Sequence, residues 1–297
     1  GLGDVYKRQV KSGVLHCRLI SRPASYVTMS AVSTVHMQVE GLTLALKQIG
    51  QGPLVVCLHG IGGNSDNWSR QLEALAEDYT AVAWDMRGYG ESDDYNGPLQ
   101  LSDICDDLLA VINHYERDSA HLVGLSMGGM VAQAFYARFP DRVDSIILAN
   151  TNAGIGVDFS SEQRDEFVQL RKQPLENGLE PADLEEPMLQ VLLGHNPSPA
   201  AVENIGRSIR ALHKASYIKA VEAIVDFDCS AILPAINVPV LLISGTHDKV
   251  IPTESMKEMQ ETIPEARLFV FDGVGHLSNL ERPERFNELM LDFLSQV

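Results

Sequence analysis

No stretch of the 297-residue sequence holds the run of about 20 apolar residues that a membrane-spanning helix needs. Cysteine is scarce. The four cysteines, Cys17, Cys57, Cys105 and Cys229, are scattered, with no Cys-x-x-Cys pair and no Cys/His spacing of a zinc site. That excludes a disulfide framework, and leads us to expect free thiols in a reducing, cytoplasmic compartment and no metal. Positive charge is also short, with 23 Lys and Arg against 40 Asp and Glu, a net −17. Such a balance disfavours nucleic acid and anionic membrane surfaces as partners. The acidic residues are dispersed, as on a solvated surface, and there is no internal repeat or low-complexity tract.

What the chain has is apolar residues enough, at 45%, to bury a sizeable core, and a length that suits one α/β domain with an insertion. The first 28 residues stand apart. Lys7, Arg8, Lys11, Arg18 and Arg22 face only Asp4, and no continuous apolar core of a secretory signal is present. Asp4-Val5-Tyr6-Lys7-Arg8-Gln9 resembles the in-frame translation of a sequencing adapter, which would make Met29 the true start. A basic, disordered extension in the style of a transit peptide is the other reading. Residues 1–28 are therefore expected to stand outside the domain, which runs over 29–297.

From Val35 the pattern is regular. Val35–Glu40 and Leu42–Ile49 alternate around Gly41 as a hairpin does. Short apolar runs at Leu54–Leu58, Tyr79–Trp84, Ala120–Leu125, Val143–Ala149, Val238–Ser244 and Arg267–Phe271 read as buried strands. Helical spacing lies between them, as in Leu101, Ile104, Cys105, Leu108, Val111 and Ile112, and Phe286 to Leu294 close the chain as an amphipathic helix. Strands alternating with helices predict a doubly wound, mostly parallel sheet. Residues from about 155 to 229 break this rhythm. They are polar and helical in pattern, with Pro174, Pro181, Pro187, Pro197 and Pro199 punctuating short segments. They are expected to form a helical cap over the strand ends.

The chemistry is concentrated at strand ends. Gly124-Leu125-Ser126-Met127-Gly128 follows an apolar run and opens a helical one, the strand–turn–helix context of a Gly-x-Ser-x-Gly nucleophile elbow. A serine hydroxyl needs a base to take its proton, and the base needs a carboxylate to fix its tautomer. Asp248 and His276 each follow a buried strand at the edge where ligands of open α/β sheets bind. His59-Gly60-Ile61-Gly62-Gly63 is a glycine-rich loop whose Ile61 N–H, with that of Met127, could face a developing oxyanion. It lacks the Lys and Ser/Thr of a P-loop and is not Gly-x-Gly-x-x-Gly. The histidines His36, His114, His121, His195, His213 and His247 show no metal spacing.

His59–Asn64, Asp85–Ser92, Gly124–Gly129, Gly245–Asp248 and Gly275–His276 together resemble the α/β-hydrolase superfamily, across nearly all of residues 35–297. Gly275–Pro283 and Gly124–Gln133 resemble its 3-oxoadipate enol-lactonase group of carboxylic ester hydrolases. The resemblance implies an α/β-hydrolase fold and a serine hydrolase of esters or lactones that needs no cofactor. Ser126 would be its nucleophile, His276 its base, Asp248 its acid, and Ile61 and Met127 its oxyanion donors. It implies a structural role for Asp85 and Arg87. Cofactor-free perhydrolases, carbon–carbon bond hydrolases and slow-turnover ligand receptors of this fold share most of these residues and stay open. The enol-lactone substrate of that group carries a carboxylate, for which an acidic protein must supply a local cation. Arg207 and Arg210, with Lys214 on the same helical face, are the candidates.

Overall fold

The computed structural model describes residues 31–154 and 160–297. The N-terminal extension with Cys17, Met29 and the first residues of the expected cap lie outside the described residues. The strands are β1 (Ser33–Val39), β2 (Leu42–Ile49), β3 (Leu54–Leu58), β4 (Thr80–Trp84), β5 (Ala120–Leu125), β6 (Val143–Ala149), β7 (Val240–Gly245) and β8 (Arg267–Phe271). They form a single eight-stranded sheet in the order β1-β2-β4-β3-β5-β6-β7-β8. β1 pairs antiparallel with β2, and β2 with β4; from β4 onward every pairing is parallel. The hairpin pairs Val39 with Leu42 across Glu40 and Gly41, both at positive φ (49° and 86°). Two such residues make the turn whose twist matches that of the strands it joins.

Burial along the strands shows where the layers lie. Successive side chains of a strand point to opposite faces, yet β3, β5 and β7 are buried at every position. Both faces of the sheet are therefore covered, which is why these strands read as unbroken apolar runs. The edges differ: β1 and β8 keep exposed or half-buried positions along most of their length.

Helices α1 (Ser69–Leu75), α2 (Leu101–His114) and α3 (Met127–Arg138) follow β3, β4 and β5. α2 buries Ile104, Cys105, Leu108, Val111 and Ile112 on one stripe, as its spacing predicts. Among the described residues four helices lie between β6 and β7 with no strand among them: α4 (Ser161–Glu176), α5 (Glu185–Leu192), α6 (Pro199–Arg210) and α7 (Lys214–Ile224). Within this group α4 packs on α7 and α5 on α6. The chain ends with α8 (Thr253–Thr262), α9 (Ser278–Glu281) and α10 (Pro283–Leu294), the last burying Phe286, Met290, Phe293 and Leu294. Among the described residues no helix is long and apolar enough to cross a membrane.

The helix after the glycine-rich loop starts as a separate 3₁₀ turn, Ser65–Trp68, because Asn64 caps it by accepting the Asp66 N–H at 3.0 Å. Pro174 does not end a segment. It falls in the last turn of α4, where the one bond it forfeits, to the Leu170 carbonyl, disturbs only the helix's end.

The loop after β4 is pinned to α2 by a buried ion pair. The Arg87 Nε and Nη2 groups each donate at 2.7 Å to the Asp107 carboxylate, which is about 1% exposed. The fork geometry matches the two oxygens, so Arg87 acts as a structural bracket. Removing one partner strands a buried charge. Arg87→Met is expected to cost about 3–5 kcal/mol, and the double variant Arg87→Met/Asp107→Leu to recover most of it. Urea unfolding midpoints of the three proteins check both statements.

Candidate active site

Parallel strands bring their C-terminal ends to one edge, so His59, Ser126, Asn150, Asp248 and His276 all fall on loops at that edge after β3, β5, β6, β7 and β8. Ser126 links β5 to α3 in a single residue at φ 53°, ψ −119°, a conformation that costs a non-glycine residue strain. The backbone holds it there. Its N–H donates to the Ala149 carbonyl at 2.9 Å, and its carbonyl accepts from the Gly129 N–H (2.9 Å), the Met130 N–H (3.2 Å) and the Thr151 hydroxyl (2.8 Å).

The flanking glycines are required by space. A Cβ on Gly124 would lie 2.4 Å from the Gly128 carbonyl oxygen, and one on Gly128 would lie 2.0 Å from that of Leu58. Neither contact is possible without moving backbone.

The glycine-rich loop lies against the serine. A Cβ built on Gly60 would stand 3.1 Å from the Ser126 Cβ and 3.7 Å from its Oγ. The Gly63 N–H donates to the Gly60 carbonyl at 3.0 Å, closing a turn with Gly62 at φ 88°. That bond leaves the Ile61 N–H unused by the turn. Met127 opens α3, so its N–H is one of those the helix itself cannot bond. His59 braces this loop. Its Nε2 accepts the Met86 N–H at 3.1 Å, so the proton sits on Nδ1 and is donated to the Gly60 carbonyl at 2.9 Å. Burial holds the His59 ring below its ordinary pKa, and the neutral tautomer is the one both bonds need.

On the other side, His276 Nδ1–H donates to Asp248 Oδ2 at 2.9 Å, and both side chains are buried, at 4% and 0% exposure. Asp248 Oδ1 accepts the Val250 N–H (2.8 Å) and the Ile251 N–H (2.9 Å). Burial alone would raise the Asp248 carboxyl. The His276 charge and bond, with the two backbone N–H groups, outweigh it and hold the carboxyl below its ordinary range. The pair can thus act as a histidine base with a fixed tautomer beside a carboxylate whose ionised form is favoured.

The helices between β6 and β7 meet this edge directly. The His276 N–H donates to the Leu192 carbonyl at 2.7 Å, and the His195 N–H to the Gly273 carbonyl at 2.9 Å. Glu281, about 3% exposed, accepts the Gly194 N–H at 2.9 Å and the Gly275 N–H at 3.0 Å, one on each carboxylate oxygen. Asn67 Nδ2 donates to Asn204 Oδ1 (2.7 Å) and Ser208 Oγ (2.8 Å) on α6.

Arg207 and Arg210 lie elsewhere on α6. The helix buries Ala201, Ile205, Ser208 and Ile209, and the arginines occupy the opposite side. Arg210 is paired with Glu185 and Glu203, Arg207 is 62% exposed beside Glu203, and Lys214 is bonded to Glu180. The i, i+3, i+7 spacing put all three on one helix, but α6 ends at Arg210 and Lys214 opens α7, and the two arginines face solvent and neighbouring carboxylates. The cation expected for a carboxylate-bearing substrate is therefore not assigned to them. Three residues without a role in the sequence reading enter the picture: Asn150, Ser278 and Glu281. The last two stand in a stretch whose resemblance was visible; Asn150 is simply the polar residue after an apolar strand.

Two measurements check this geometry. Gly128→Ala forces α3 off the Leu58 carbonyl and is expected to cost about 3 kcal/mol, read as a lowered thermal midpoint. Buried His59 and His121 both have lowered pKa values, burial being the main cause in each. Above the ordinary histidine pKa of 6.5 both are neutral, folded or unfolded, and their contribution is fully present. As pH falls below that value the unfolded chain takes up the protons first, and stability is lost towards the folded pKa values. His121→Gln should make the slope of unfolding free energy against pH shallower in that window, by up to about 1.4 kcal/mol per pH unit.

The profile of the family described as alpha/beta hydrolase fold matches residues 53–283. The chain is 29% identical over 236 residues to 3-oxoadipate enol-lactonase 2 of Acinetobacter baylyi, covering 79% of this chain and 86% of that one. It is 28% identical to a putative carbamate hydrolase, RutD, of Pseudomonas savastanoi pv. phaseolicola, covering 84% and 96%. Among solved structures, a thermophilic esterase from Thermogutta terrifontis superposes with a TM-score of 0.80 at 28% identity, covering 90% and 99%. The enol-lactonase from Burkholderia xenovorans LB400 gives 0.78 at 28%, covering 88% and 100%. With its sheet order, its elbow and this match over most of its length, the chain belongs to the α/β-hydrolase family and is a hydrolase.

Proposed function

We propose that the protein hydrolyses a carboxylic ester or lactone through a serine acyl-enzyme, with Ser126 as nucleophile, His276 as base and Asp248 as acid. The observation that carries this reading is the buried His276 Nδ1–H to Asp248 Oδ2 bond, set at the sheet edge that also presents strained Ser126. Because Nδ1 holds the proton, Nε2 is the ring nitrogen left to accept one. His276 takes the Ser126 hydroxyl proton as Oγ attacks the carbonyl, and the tetrahedral oxyanion is met by the Ile61 and Met127 N–H groups. His276 then returns the proton to the leaving alkoxide. For a lactone that oxygen remains tethered to the acyl group. Water, activated by the same imidazole, releases the acid.

The esterase and enol-lactonase similarities support the ester or lactone as substrate class. Among the described residues Cys57, Cys105 and Cys229 are free thiols, which supports a reducing, cytoplasmic setting. A panel of short esters and lactones, including a carboxylate-bearing lactone, tests the reading. Ser126→Ala is expected to lower kcat by about 10⁴- to 10⁶-fold with an unchanged melting temperature. Comparable turnover by variant and parent would remove Ser126 from the mechanism, and a parent limited to a single turnover would favour a receptor.

A further inference from the structure

The Asp248–His276 pair is held by a third side chain that sits on neither of their loops. Asn150 follows β6, completely buried, and its N–H extends the sheet by donating to the Ile243 carbonyl at 2.8 Å. Its side-chain amide has two N–H groups and one oxygen, and each has a partner. Nδ2 donates to Asp248 Oδ2 at 3.0 Å, the same oxygen that receives the His276 Nδ1–H, and to the Gly275 carbonyl at 3.2 Å. Oδ1 accepts the hydroxyl of Ser278, itself fully buried, at 2.6 Å. A carboxylate and a carbonyl on one side, and a hydroxyl donor on the other, settle which end of the amide is nitrogen.

We infer that Asn150 is a positioning residue for the acid–base pair, its amide locking Asp248 Oδ2 against the peptide that carries His276. No other side chain of that size meets the demand. Aspartate would set a second carboxylate against Asp248, and an apolar residue would leave a buried carboxylate oxygen and a buried carbonyl short of a donor. The backbone adds a constraint, since Asn150 has φ 47°, a left-handed conformation that asparagine tolerates better than most residues. With the amide in place, the Asp248 carboxylate accepts two backbone N–H groups on Oδ1 and two side-chain N–H groups on Oδ2, and cannot rotate away from the imidazole. The amide also draws charge from Oδ2. Its removal leaves a more basic carboxylate beside His276, and so a more tightly held imidazolium.

This inference rests on the reading of Asp248 and His276 as acid and base, and the test separates the two. Asn150→Gly deletes the amide while keeping the left-handed backbone unstrained. Ser278→Ala leaves Asn150 in place but frees its amide to turn. In full-length ¹⁵N-labelled protein, the imidazole resonances of His276 are followed against pH, with assignment from their loss in His276→Gln. The best ester from the panel is assayed in parallel. Asn150→Gly is expected to move the His276 titration upward by about one pH unit. It should also lower kcat by about 10- to 100-fold with little change in KM. Ser278→Ala should move both in the same direction by less. An unmoved or lowered His276 titration in both variants, whatever the rates do, overturns the inference, because a merely structural residue would leave it there. If the parent hydrolyses no ester or lactone, the serine-hydrolase reading fails, and the titration still decides the role of Asn150.

Discussion

At Ser126 the chain turns from a buried strand into a helix within one residue, and no side chain fits at Gly124 or Gly128, two residues to either side. The clearance between Gly128 and the Leu58 carbonyl, where even a Cβ would lie at 2.0 Å, presses α3 onto the end of β3. The same contact brings Gly60 beside the serine, so the glycine-rich loop reaches the nucleophile's position without a reaching side chain. Strain of this kind costs about 1–3 kcal/mol and persists only where its surroundings over-determine it. Here they do, with three donors on the Ser126 carbonyl and the sheet itself on its N–H. Glycine at 124 and 128 is thus a packing requirement first and a catalytic opportunity second.

Around that turn the Asp248 and His59 side chains are buried and fully bonded, which makes their orientation specific. Each oxygen of the Asp248 carboxylate has two donors, and His59 uses both ring nitrogens. Inside a protein such bonds are stronger than in water, and an unpartnered group is correspondingly costly. Glu281 extends the arrangement to the helices between β6 and β7 by holding Gly194 and Gly275 with one carboxylate. The approach there is tight, since a Cβ on Gly194 would meet the Gly275 nitrogen at 2.4 Å. The histidine loop is consequently shaped from both sides, by β6 through Asn150 and by the inserted helices through Glu281.

Much of this was legible in the chain before any coordinates. The strands could be placed to within two residues because those buried on both faces leave unbroken apolar runs, as at Leu54–Leu58 and Ala120–Leu125. The elbow was legible because its geometry demands glycine at fixed offsets from Ser126. Arg207 and Arg210 show the limit. Their spacing placed them on one face of a helix, but periodicity alone does not say which face is turned inward when Ile205 and Ile209 compete for the same burial. Nor does it show Glu185 and Glu203 waiting beside Arg210.

By itself the sequence determined the fold family, the strand-to-helix turn at Ser126 and the residue types that could act at the sheet edge, because each is written in a few neighbouring residues. The tertiary structure alone decided which distant groups share a hydrogen bond. Asn150 is 98 residues from Asp248 and 128 from Ser278, and its amide bonds both. No local period or propensity records such a pairing. It follows from the register of β6 against β7, and from a buried amide whose three bonds are met by what the fold places beside it.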